Sequence, residues 1–186
     1  MSCDLANGRL EVCKDAVGGI DAVYFINYGD FNPENDVAYV AGTDTIDTVA
    51  NVSSLYKYEL KGTNSFEQVV NSSRENGTTF VEQTLTMTLK KQDATTHKSV
   101  KLLSYGRPHI VVKNRNNQFF LMGLEHGAEL TTANVSNGTA MGDLNGYTLT
   151  FVATETLLAN LLDCTNEAGL AGGAGDVFGT ATIVTA

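Results

Sequence analysis

At 186 residues the chain is long enough for one domain with a real core, and 42% hydrophobic with 18% charged residues excludes overall disorder. Twelve basic against 21 acidic residues leave a formal charge of −9, which excludes a duplex-binding surface, because affinity for DNA depends on Lys and Arg neutralising phosphates. Two prolines, no tryptophan and abundant Thr, Val, Asn and Gly favour strands and turns, so a mainly β fold is expected.

Residues 1–19 show no clear period; Leu5, Leu10 and Val12 leave a strand there undecided. No leader pattern and no run of about 18 apolar residues appears, so a soluble protein made in a cytoplasm is expected. Cys3, Cys13 and Cys164 are odd in number and have no zinc-site spacing, which predicts reduced thiols. Ile20 to Tyr28 reads as a strand buried on both sides or at a subunit contact. Residues 30–53 read as a long loop with a short strand at Val37–Val40, and Leu55 to Leu60 as an alternating strand.

The stretch from Phe66 to Lys90 is the strongest signal. Asn76-Gly77 between alternating runs predicts a two-residue type I′ turn, which pairs Ser73 with Phe80, Asn71 with Glu82, Val69 with Thr84 and Glu67 with Thr86. Alternation then separates two faces. Phe66, Gln68 and Val70 join Val81, Gln83, Leu85, Met87 and Leu89 on a mostly apolar face, of which Phe66, Val70, Val81, Leu85, Met87 and Leu89 are candidate core. Glu67, Val69, Asn71 and Ser73 join Phe80, Glu82, Thr84, Thr86 and Thr88 on a polar face without a Lys or Arg. That face should meet water or a polar cavity.

A short helix over 93–105 follows, with Asp93 as N-cap, core residues Val100 and Leu103, and Gly106 as the left-handed residue beyond its end. Arg107-Pro108 prevents continuation. His109–Lys113 and Gln118–Gly123 form a second hairpin, Ala128–Thr132 a short strand, and 133–146 a loop. Gly146–Thr156 is a strand that points Tyr147, Leu149 and Phe151 into the core. Residues 1–162 thus make one β-rich domain, and 163–186 a flexible Gly-rich linker with an extended tail.

No cluster of nucleophile, base and orienting groups is legible, so no enzyme, cofactor or metal is expected. Glu125 and His126 are neighbours in sequence, which alone makes no metal site. AGLAGGAGD (168–176) lacks the strand, helix and Lys of a phosphate loop. Asp143-Leu144-Asn145-Gly146 lacks the later bidentate acid of a calcium loop and reads as a turn.

Residues 55–156 resemble bacteriophage tail tube proteins in the order of their parts. LYKYELKGTNSFEQVVNSSRENGTTFVEQTLTMTLKK is similar to the strand pairs of the inner sheet and DATTHKSVKLLSYG to the packing helix. HIVVKNRNNQFFLMG is similar to the following hairpin, and GTAMGDLNGYTLTFVATE to the closing loop and strand; the Gly-rich C-terminal stretch has no counterpart. The resemblance implies a β-sandwich or barrel-like tail-tube fold whose subunits form hexameric rings stacked into the hollow tail tube of the virion, the conduit for genome delivery. Its partners are then copies of itself and other tail proteins such as terminator, sheath or tape measure, with DNA in transit, no membrane, and assembly in the host bacterial cytoplasm. Glu67, Asn71, Glu82, Thr84, Thr86 and Thr88 would face the lumen. Tubes of contractile injection systems, a head-to-tail connector ring and a capsid decoration protein are the competing readings.

Overall fold

Apolar residues occupy both sides of the strand Ile20–Ile26: Ala22, Tyr24 and Ile26 enter one core cluster, Ile20, Val23 and Phe25 a second. A strand with no solvent side must lie inside a sheet covered twice. The computed structural model describes residues 8–11 and 13–185. Leu5, Val12 and Cys3 lie outside these, and Leu10 is 87% exposed and in no strand.

After this first strand, β1, come β2 (Val37–Tyr39), β3 (Ile46–Val49), β4 (Ser54–Glu59), β5 (Ser65–Ser73) and β6 (Thr78–Lys90). Helix α1 (Ala94–Leu103) leads to β7 (His109–Asn114), β8 (Phe119–Met122), β9 (Glu129–Ser136) and β10 (Gly146–Glu155). The chain ends with β11 (Asn160–Leu161), the single turn α2 (Glu167–Leu170) and β12 (Thr182–Val184). The fold is mainly β, and no sheet closes into a barrel. A six-stranded sheet runs β11-β8-β7-β1-β4-β12 and a four-stranded sheet β5-β6-β10-β9. No helix among the described residues is long and apolar enough to cross a membrane.

The two sheets pack face to face. Leu85, Met87, Leu89, Tyr147, Leu149 and Phe151 meet Val23, Phe25, Ile110, Val112 and Met122, while Val81 is buried at 3% exposure. Burying each such large side chain is worth about 1.5–3 kcal/mol. Val100 brings α1 onto this core; Phe66 and Leu103 are half-buried against it. Asp93 caps α1 by accepting the Thr96 N–H at 2.8 Å, but the helix stops at Leu103 with Ser104 as C-cap. Gly106 is not left-handed; the Tyr105 N–H bonds Leu102 O, three residues back, so a tightened last turn ends the helix two residues before the expected boundary.

The hairpin differs from the two-residue reading. Residues 74–77 form the turn, so Ser73 pairs with Thr78, Asn71 with Phe80, Val69 with Glu82 and Glu67 with Thr84. Gly77 is left-handed (φ 64°) and Asn76 is not, which rules out the type I′ geometry; the Ser73 hydroxyl instead accepts the Asn76 N–H. The register therefore slides by two, and an even slide returns every side chain to the same face. Val70 is the expected core residue that this arrangement does not bury. It is 54% exposed, because the third strand ends where Glu155 pairs with Val81, and β5 and β6 run on beyond it as an uncovered ribbon.

The other face of the six-stranded sheet corrects two further expectations. The segment 30–53 is no open loop: β2 pairs with β3, and Phe31, Ile46, Val49 and Val52 are buried. Of the stretch read as a flexible linker and free tail, the described residues 163–185 are neither, since Leu170, Ala171, Val177, Phe178 and Ala181 fill the core over Tyr24, Val111 and Phe119. β12 then pairs in parallel with β4. Glu167 is drawn in by the Tyr24 hydroxyl at 2.5 Å and the Lys57 ammonium at 2.7 Å. Burial by itself would raise the Glu167 carboxyl, but these two donors and the Lys57 charge hold it below the usual carboxylate range. Cys13 and Cys164 are free, and burial next to Asp163 and Asp176 pushes the Cys164 thiol up to about 12.

Gly146 starts β10 against β6 so closely that a Cβ there would sit 2.1 Å from the Leu89 carbonyl oxygen. Gly146→Ala is expected to cost about 1–3 kcal/mol, because the backbone must move apart along a paired strand. Urea unfolding measures this; an unchanged midpoint would mean the strands do not approach so closely.

Candidate functional site

One side of the four-stranded sheet builds the core, and among the described residues no layer covers the other. The pairing sets out its outer face in rows across the strands. Thr88, Thr148 and Asn134 form one row, and Ser65, Thr86, Thr150 and Thr132 the next. Glu67, Thr84, Val152 and Glu129 follow, then Val69, Glu82 and Thr154. Thr recurs because a β-branched side chain suits the pleat while its hydroxyl faces water.

Of the residues singled out in the sequence, Glu67, Glu82, Thr84, Thr86 and Thr88 share this face, with Glu67 directly opposite Thr84. Asn71 lies farther out, paired with Phe80 on the two-stranded ribbon. The contribution of β9 and β10 was missed: Thr132, Asn134, Thr148, Thr150 and Thr154 double the width of the polar surface. Its signal was present in TLTFVATET, where Thr alternates with the core residues.

The electrostatics of the face are one-sided. It carries Glu67, Glu82 and Glu129, and the one cation of its four strands is Lys90, at the end of β6 beside Gly62. Arg107 approaches from outside the sheet and pairs with Glu129 at 3.8 Å. Neither a protein-family model, a curated protein nor a solved structure matches the chain.

The sheet also has two open edges. Among the described residues β5 and β9, nine and eight residues long, each pair on one side only, so alternate residues along them turn N–H and C=O groups outward. Such edges are templates for another strand. The projecting ribbon adds exposed apolar side chains, Val69 at 51%, Val70 at 54% and Phe80 at 41%. Chemically this surface offers hydroxyls and carboxylates over a broad area.

Proposed function

We propose that the chain is a structural subunit of a hollow protein tube, the tail tube of a bacteriophage, with the outer face of the four-stranded sheet turned to the lumen. The observation that carries this reading is the wide layer of Thr and Glu side chains, cation-free except at one end. Phosphate finds no partner on such a layer, and like charge keeps a DNA backbone off the wall, so a polyanion slides without being held. Strand edges on both sides of the sheet suit head-to-tail contacts between copies, which close into rings when the rotation closes. The ribbon of residues 69–80 and its exposed apolar side chains fit a contact between layers.

Electron microscopy of the purified protein tests the reading: stacked hollow rings are expected. Isolated rings would overturn it in favour of a connector, and a stable monomer would overturn assembly altogether. Glu82→Lys with Thr86→Lys tests the lumen itself. Tubes should form as before, while DNA ejection slows severalfold at low salt and recovers as salt screens the new charges. Ejection unchanged across the salt series would turn this face away from the lumen.

A further inference from the structure

Glu125 and His126 acquire in the fold a third group that sequence does not place near them. Glu155 ends β10 and is 4% exposed; it accepts the backbone N–H of Glu125 at 3.3 Å and of His126 at 2.9 Å. His126 Nδ1 lies 3.2 Å from Glu155 Oε2 and 4.0 Å from Glu125 Oε2, and one ligand atom from each residue falls within 4.8 Å of the others. In a tetrahedral zinc site, with bonds of about 2.0–2.1 Å, neighbouring donor atoms stand roughly 3.3 Å apart. The His126–Glu155 pair already has that spacing. Glu125 is half-exposed and closes the remaining gap by a side-chain rotation, steered by the Thr156 hydroxyl that donates to its Oε2 at 3.2 Å.

Two further observations point to a cation. Among the described residues the buried Glu155 carboxylate has no Lys or Arg within ion-pair distance, only the His126 ring. Two backbone N–H groups and the imidazole meet this carboxylate, and a bound cation would compensate its buried charge further. An open cleft of about 470 Å³, lined by Phe80, Arg107, His126, Thr154 and Glu155 among others, also reaches this point and admits water to a further coordination position. Arg107 opposes a metal, but its guanidinium donates to the His126 carbonyl oxygen and pairs with Glu129. Glu125, Glu129 and Glu155 against Arg107 leave the neighbourhood negative.

We propose that His126 Nδ1, Glu125 Oε2 and Glu155 Oε2 bind one divalent first-row transition ion, zinc in the first instance, with water completing the shell. The imidazole donor selects against calcium and magnesium, which take oxygen shells. The ion would tie the turn after β8 to the end of β10. This site is independent of the tube reading and holds for a free or an assembled chain.

Zinc chloride titrated calorimetrically into the untagged full chain should bind once per chain. His126→Ala, a change at an exposed side chain, should weaken binding about a hundredfold or more, beyond the ten- to hundredfold range of outer-shell losses, and Thr156→Val about tenfold. His97→Ala, at a histidine away from the cluster, should leave it unchanged. Cobalt in place of zinc should show the visible bands of a four-coordinate site, absent in His126→Ala, with circular dichroism confirming that each variant is folded. No binding to the native chain, equal binding to His126→Ala, or binding lost in His97→Ala would each overturn the site.

Discussion

Leu85→Asp is expected to abolish folding. Leu85 is fully buried, paired with Phe66 on one side and Phe151 on the other, inside the cluster that joins the two sheets. A carboxylate there would meet no cation and no hydrogen-bond donor, and would either stay charged at a cost above the whole stability of about 5–15 kcal/mol or protonate and still lose the packing. The next residue gives the control. Thr86 points to the uncovered face, so Thr86→Asp should change stability by no more than about 0.5 kcal/mol. Soluble yield, far-ultraviolet circular dichroism and urea unfolding of the two variants read the result directly. Normal folding of Leu85→Asp, or failure of Thr86→Asp, would invert the two faces of the hairpin and remove the basis for the proposed lumen.

Phe178→Ala is the second large effect, expected to cost about 3–5 kcal/mol. Phe178 is 2% exposed and packs with Leu170 and Val177 over the central sheet. The backbone around it is tied as well: its N–H bonds Leu170 O at 2.8 Å, and Val49 N–H bonds Val177 O at 2.6 Å. A free tail at this position would make the substitution neutral. A urea midpoint unchanged within error would therefore restore the view of residues 163–186 as an appendage.

Alternation in the hairpin was legible because it survives any even error in register. Reading Asn76-Gly77 as the whole turn slid the pairing by two, yet Leu85 and Thr86 kept their sides. Val70 was not legible, since pattern alone cannot tell where a third strand stops covering the other two. The Gly-rich stretch misled for a different reason. Gly172, Gly175 and Gly179 are left-handed, with φ of 123°, 116° and 53°, so they turn the chain sharply and deliver Leu170, Val177 and Phe178 to one core. Composition shows only that such residues permit flexibility. For the candidate metal site, Glu125-His126 was visible and Glu155 was not, because the three converge only when the end of β10 meets the turn after β8.

The parallel pairing of β12 with β4 makes the order of synthesis matter. Residues 54–56 leave the ribosome long before their neighbours at 182–184, and the covering Phe178 emerges only shortly before the latter. Until then the apolar face around Tyr24 and Phe119 lacks that part of its cover, and the nascent chain exposes it. Closing so long a loop costs entropy before its contacts repay it, which places this fold among slow folders. The arrival of residues 178–184, and not the early hairpin, is thus the event that completes the six-stranded sheet.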